Sequence, residues 1–273
     1  PRGEHSKSRL STACCISPSN SVPVPPEKRL SEYEAAREDY RQNIINEINA
    51  GRNDDVGYAV AIGSPSWQEF DRVGQLEAAL LLQHGLAESR LLVDVGCGAG
   101  RLARSLPASF QGSYLGTDIS APLLANASTA CSGSGFRFVQ VDGLTIPVED
   151  AAADMVAMFS LLTHLRHEES FLYLREARRV LGSGGVVIFS FLDFSQESHW
   201  SIFHETVAVV EAGVLHHVNQ FMSHDLVLAW AKMLNFDVVD VYDGQGQFIE
   251  CEGPDGTRRL DSIGQSVAVW RKP

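Results

Sequence analysis

Three glycines spaced two apart, Gly96, Gly98 and Gly100, stand between a short apolar run and a helix-prone stretch in Leu91-Leu92-Val93-Asp94-Val95-Gly96-Cys97-Gly98-Ala99-Gly100-Arg101-Leu102-Ala103. Glycine has no Cβ, so the chain bends sharply there and lets a ligand approach the main chain, while the following helix offers unpaired N–H groups. This is the chemistry of a nucleotide-type cofactor site. A pyrophosphate-grasping turn wants its third glycine where Arg101 stands, and a phosphate loop ends in Gly-Lys-Ser/Thr; the chain has neither. The turn therefore suits a ligand without a pyrophosphate. Asp118 follows about 20 residues on, at the end of Tyr114-Leu115-Gly116-Thr117, where an acid is placed to accept hydrogen bonds from a ribose diol.

Histidine is the second chemical signal. Five of the nine histidines fall within residues 199–224, yet their spacing matches no compact metal motif, and His204-Glu205-Thr206-Val207-Ala208 lacks the second histidine of a zinc protease helix. No metal is expected. If the reaction deprotonates a hydroxyl, a histidine titrating near neutrality can act as general base, and His164 and His217 are the catalytic candidates. Tyr58, Trp67, His199 and His216 are candidate substrate contacts. Cys14, Cys15, Cys97, Cys131 and Cys251 form no CxxC and no regular framework, which fits a reducing compartment and a cytoplasmic protein.

These residues need elements to hold them. Helix-prone segments alternate with apolar strand-like runs: strand 91–95, helix 101–106, strand 114–118, helix 123–130, strand 136–141, strand 154–160, helix 168–181 and strand 186–191. Such alternation calls for right-handed crossovers and a parallel sheet with helices on both faces. Ligands of open parallel sheets sit outside the carboxyl ends of the strands, so residues 160–167, Ser160 included, should face the site. The rhythm breaks over residues 195–222, resumes with helix 225–234 and strand 236–242, passes a turn-rich stretch at 244–264, and closes with strand 265–270.

Asp94-Val95-Gly96-Cys97-Gly98-Ala99-Gly100 closely resembles the first motif of the class I S-adenosylmethionine-dependent methyltransferases. Asp118, and Asp142 at the end of Phe136-Arg137-Phe138-Val139-Gln140-Val141, resemble the second and third. The resemblance spans roughly residues 70–272. It implies a Rossmann-like, seven-stranded, mostly parallel sheet with helices on both faces, strand seven antiparallel, and an N-terminal helical extension. The cofactor it implies is S-adenosylmethionine, held at its methionine and ribose end by Asp94, Gly96, Cys97, Gly98, Gly100 and Arg101, at the ribose by Asp118 and Ile119, and at the adenine by Asp142, Gly143 and Leu144; Ser160 completes the set. The implied activity is methyl transfer, with O-methylation of a small-molecule acceptor, sugar or polyol-like, as the leading expectation. The alternatives are N-methylation of a small amine and a non-catalytic S-adenosylmethionine-binding protein.

Composition bounds the rest. A net charge of −12 over 273 residues argues against unassisted binding to a nucleic-acid backbone. Ser160-Leu161-Leu162-Thr163 stands where amino-group nucleic-acid methylases of this family carry Asn-Pro-Pro-aromatic, which disfavours DNA again. No run approaches the roughly 18 apolar residues that span a bilayer, so no membrane partner is expected; a homodimer is left open. Residues 1–28, rich in Ser and Pro, read as a flexible leader, 29–85 as a helical extension or cap, and 86–273 as the S-adenosylmethionine-binding domain with an acceptor-side insertion at 195–222.

Overall fold

The computed structural model of the chain describes Gln42, Asn46 and residues 64–131, 135–212, 219–252 and 256–273. Of the expected leader and extension, residues 1–63 apart from Gln42 and Asn46, Tyr58 included, lie outside the described residues, as do His216 and His217.

Helix α1 (Trp67–Gln83) starts at Ser66, whose Oγ accepts the Glu69 N–H at 3.1 Å, a cap that satisfies one orphan donor of the first turn. It leads to β1 (Leu91–Val95), the glycine turn and the short helix α2 (Arg101–Ser105). Then follow β2 (Ser113–Asp118), α3 (Ala121–Ala130), β3 (Phe136–Gln140), β4 (Ala153–Met158), α4 (His167–Val180) and β5 (Leu181–Asp193). Helix α5 (Trp200–Glu211), β6 (Phe221–Met222), α6 (His224–Met233), β7 (Asp237–Tyr242), β8 (Ile249–Glu252), β9 (Arg258–Asp261) and β10 (Ser266–Arg271) complete the chain.

The main sheet runs β3-β2-β1-β4-β5-β10-β7. The first five strands are parallel and β10 is antiparallel to both neighbours, so the closing strand inserts between β5 and β7. This is the Rossmann-like sheet expected, with two additions. The two-residue β6 pairs in parallel with the end of β5, and the stretch read as turns contains the β8–β9 hairpin. Strands β1, β4 and β5 are buried on both faces over most of their length, which is why they read as largely apolar runs. Alternate residues serve two cores: Val93, Val156, Val187 and Phe189 pack with Leu174 of α4 and Trp230 of α6, while Leu92, Met155 and Ile188 pack with Leu80 and Leu81 of α1 and Leu102 of α2. Helix α1, expected as part of the extension, thus shares the core of the sheet.

Chain order reverses at β1. The crossover from β1 runs to β2 on one side, and β4 pairs on the other, with Asp94 opposite Ala157. In open parallel sheets the ligand crevice lies outside the carboxyl ends of the strands at this switch point. The glycine turn leaves β1 and Ser160 leaves β4 at that place.

Candidate cofactor and acceptor site

The turn is built by main-chain geometry that side chains resist. Gly96, Gly98 and Gly100 all have positive φ, at 76°, 53° and 84°. A Cβ on Gly96 would stand 3.0 Å from the Leu161 side chain, and one on Gly100 3.0 Å from Ala127 of α3, so the loop lies close against both walls. Its amides are already committed: Gly96 and Cys97 N–H groups donate to Thr117 O at 2.7 and 3.0 Å, and Gly98 N–H donates to Asp118 Oδ2 at 2.9 Å. Asp118 Oδ1 accepts the Ser120 N–H at 2.8 Å. The acid at the tip of β2 and the turn at the tip of β1 are therefore one hydrogen-bonded unit. Gln140 Nε2 donates to Ile119 O at 3.0 Å and Val141 N–H to Asp118 O at 3.0 Å, which brings the end of β3 to the same edge. Beyond it Asp142 is exposed, Gly143 O accepts the Tyr173 hydroxyl at 3.1 Å, and Leu144 packs on the core.

Below the turn sits a group of acids. Asp94 is 3% exposed, and Tyr114 Oη donates to its Oδ2 at 2.6 Å. Burial, with Glu77 and Asp118 adding repulsion, pushes its carboxyl up to about 7, against the lowering effects of the Tyr114 bond and Arg101. Burial also raises the Asp118 carboxyl, partly offset by the main-chain N–H groups it accepts, and raises Glu77 despite its Arg101 partner. Arg101 makes a two-pronged ion pair with Glu77 of α1, its Nε 3.2 Å from Oε2. Its guanidinium is thus held on a buried carboxylate of the neighbouring helix. Cys97 is packed in the turn, and burial beside Asp94 and Asp118 drives its thiol well above the ordinary value, leaving a neutral, unreactive group.

At the tip of β4, Ser160 adopts φ 54°, a conformation that costs a non-glycine residue about 1 kcal/mol or more. Three partners hold it there. Its N–H donates to Ser190 Oγ at 2.7 Å, its carbonyl accepts the Thr163 hydroxyl at 2.9 Å, and its Oγ accepts from Gln265 Nε2 at 3.3 Å. Ser190 Oγ in turn donates to Gln265 Oε1 at 2.6 Å, so β4, β5 and the start of β10 are joined by one polar network.

A family model described as a methyltransferase domain matches residues 93–189, from β1 through β5. A ubiquinone biosynthesis O-methyltransferase of Methylococcus capsulatus is 30% identical over 131 residues, 46% of this chain and 54% of that protein, so the chain spans about half the length of this curated relative. Among solved structures, an S-adenosylmethionine-dependent methyltransferase from Mesorhizobium loti superposes with a TM-score of 0.54 at 16% identity, covering 74% of this chain and all (100%) of that one. A magnesium protoporphyrin IX methyltransferase from Synechocystis PCC 6803 with bound SAH gives 0.53 at 16% identity, over 76% of this chain and 87% of that one. At these identities the likeness is one of fold.

Residues 93–189 thus match the methyltransferase-domain family, and the fold is that of S-adenosylmethionine-dependent methyltransferases.

The remaining candidates take separate places. His164 ends a single 3-10 turn after β4, half-buried, four positions beyond Ser160 at the carboxyl edge. Trp67 stacks on Phe70 at 4.5 Å and carries the Arg104 guanidinium 4.5 Å above its ring. Since Arg104 lies towards the C-terminal end of α2 and the glycine turn at its N-terminal end, Trp67 belongs to helix packing rather than to the acceptor side. His199 ties two elements together. It is buried, its Nδ1 accepts the Asp193 N–H at 2.9 Å, and its Nε2 donates to Gly264 O at 3.1 Å, which fixes the neutral Nε2–H tautomer and occupies both nitrogens. It pins the end of β5 to the approach of β10. Glu77, Tyr114, Ser190 and Gln265 escaped the sequence reading. Two carried a signal: Glu77 interrupts the apolar face of Leu76, Leu80 and Leu81, and Ser190 interrupts Val186-Val187-Ile188-Phe189-Ser190-Phe191. Among the described residues no cluster of three or more His, Cys, Asp or Glu could hold a metal ion.

Proposed function

We propose that the protein transfers the methyl group of S-adenosylmethionine to a hydroxyl oxygen of a small-molecule acceptor. The observation that carries this reading is the switch-point crevice, where Asp94 and Asp118 stand as buried or half-buried acids in surplus over the one neighbouring cation among the described residues, Arg101, itself held by Glu77. Such a site favours a ligand with positive charge and disfavours a phosphate. S-adenosylmethionine fits, having no phosphate and carrying an ammonium and a sulfonium group, and when bound it supplies an already activated methyl group. The left-handed backbone that Gly96, Gly98 and Gly100 supply would set the turn against its methionine end; Asp118 would take the ribose diol, and Asp142 with Leu144 the adenine.

Activation is thus supplied with the cofactor, and the task left to the chain is to orient the acceptor oxygen, exclude water and take one proton. Ser160 orients. Its Oγ accepts from Gln265, which leaves its own O–H to donate to an acceptor oxygen at the β4 edge. His164, on the following turn, takes the proton as the hydroxyl is methylated; His217 is the second candidate for that role. The oxygen reading is supported by the name of the Methylococcus capsulatus relative. A tritiated-methyl screen across pools of hydroxylated metabolites tests it: label is expected in an ether-forming acceptor, with kcat reduced at least tenfold by His164→Ala or by alanine in place of His217. Label found only on amines, or full kcat in both variants, overturns the assignment.

A further inference from the structure

Ser160, Ser190 and Gln265 close a ring of hydrogen bonds that runs in one direction. Ser160 N–H donates to Ser190 Oγ at 2.7 Å, Ser190 O–H donates to Gln265 Oε1 at 2.6 Å, and Gln265 Nε2 donates to Ser160 Oγ at 3.3 Å. The amide cannot be turned over: a nitrogen 2.6 Å from Ser190 Oγ would be closer than an N–H···O bond allows, whereas an O–H···O bond fits that distance. Ser190 is fully buried, so its hydroxyl has no water to turn to. Ser160 Oγ is therefore held as an acceptor within the ring, and its own proton is left to point out of it.

The main chain around Gln265 is clamped on both sides. Gly264 O accepts the His199 Nε2–H at 3.1 Å, and Ser266 Oγ accepts the Gly244 N–H at 3.1 Å. A Cβ on Gly244 would stand 2.8 Å from His199 Nε2 and 2.9 Å from the Gln265 carbonyl carbon, so only glycine lets the chain after β7 close on this segment. Leu161, next to Ser160, lies 3.0 Å from where a Cβ on Gly96 would be. The ring thus stands beside the turn to which the proposed function gives the methyl donor.

A hydroxyl fixed as a donor discriminates between acceptor atoms. The attacking atom must aim one lone pair along the S–CH₃ axis. A hydroxyl oxygen has a second lone pair to receive the Ser160 O–H. An amine nitrogen has only one, so a donor held there competes for the pair that attacks.

We infer that Gln265, clamped by His199 and Gly244, is a positioning residue that fixes Ser160 as a donor and so selects oxygen over nitrogen at the methyl acceptor. The inference rests on the proposed methyl transfer and names the residue behind its preference for a hydroxyl. In that step the acceptor oxygen bonds the methyl carbon as the C–S bond breaks with its electron pair left on sulfur, the hydroxyl proton passes to the base, and Ser160 keeps its own proton.

Gln265→Glu tests it, because a carboxylate keeps the shape and the Ser190 bond but can only accept, which turns the Ser160 O–H inward. With mixed pools of hydroxylated metabolites and primary amines and tritiated S-adenosylmethionine, kcat on oxygen is expected to fall at least tenfold in Gln265→Glu, the KM for S-adenosylmethionine to stay unchanged, and the ratio of oxygen to nitrogen label to fall. Gln265→Met drops both bonds and leaves Ser160 free to rotate, so its rate is expected to lie between wild type and Gln265→Glu; a merely structural role would make it the slower of the two. Equal rates in Gln265→Glu and wild type, a KM that rises in step with the loss of kcat, or the reverse order of the two variants overturns the inference and leaves the methyl-transfer reading standing. A second measurement does not depend on turnover. The side-chain amide signals of Gln265 in the ¹H–¹⁵N spectrum, identified by their loss in Gln265→Met, are expected to shift in Ser160→Gly, which removes Oγ without strain; signals that stay in place overturn the inference. Wild-type label on amines alone, or on nothing, overturns the methyl-transfer reading and the inference with it.

Discussion

Replacing Asp94 by asparagine separates what this acid costs the fold from what it does for the ligand. Its carboxyl titrates near 7 in the native protein against an ordinary value of 3.8, with burial as the main cause. Between these values the native state holds a proton that the unfolded chain has released, so native stability falls as pH rises through the window. At about 1.4 kcal/mol per unit, the penalty reaches at most about 4 kcal/mol above pH 7. Asparagine preserves the shape and can still accept the Tyr114 hydroxyl, but its amide donors need partners in an interior site, a cost of about 1–3 kcal/mol that does not depend on pH. Urea unfolding of both proteins from pH 4.5 to 8.5 reads the difference. Asp94→Asn is expected to gain on wild type by roughly 1 kcal/mol per pH unit up to about pH 7, overtaking it between about pH 4.5 and 6 where the wild-type penalty passes the amide cost of about 1–3 kcal/mol, while losing affinity for S-adenosylmethionine. A stability difference that stays constant across the range would refute the claim that Asp94 is a strained, buried acid retained for its ligand.

Two further outcomes follow from the same geometry. Arg101→Met leaves Glu77 buried without its cation and should cost about 3–5 kcal/mol, whereas Arg101→Met combined with Glu77→Leu should recover most of the loss; a urea double-mutant cycle checks this, and simple additivity would contradict it. Ser160→Gly should be more stable than Ser160→Ala by about 1 kcal/mol, because glycine accepts φ 54° without strain, although both variants should lose methyl transfer; equal stabilities would contradict a strained serine.

The sequence was readable where one dimension carries the information. Leu91–Val95, Met155–Met158 and Val186–Phe191 are apolar runs, interrupted only by Asp94 and Ser190, because each strand is buried on both faces, and the helices between them have one apolar side, so the parallel core follows from periodicity. Asp118 was legible because a strand of nearly fixed length separates it from the turn, and in the structure the two are joined through Gly98. Partners distant in sequence were not. Nothing in the surroundings of Gln265 announces Ser160, which is 105 residues away, and nothing around Tyr114 announces Asp94. His199 looked available in a polar, histidine-rich stretch, but the chain needs it to tie Asp193 to Gly264. The β8–β9 hairpin read as turns because its strands, Ile249–Glu252 and Arg258–Asp261, are short, mostly polar and largely exposed.

The most direct test of the account is calorimetry of S-adenosylmethionine binding to wild type and to Asp118→Ala. Charged hydrogen bonds are worth about 1.5–3 kcal/mol each, so removing the acid that would hold the ribose diol should weaken binding by at least tenfold from a one-to-one wild-type isotherm. No binding by the wild type, or an Asp118→Ala variant that binds as tightly, would contradict the claim that the tips of β1 and β2 hold the methyl donor.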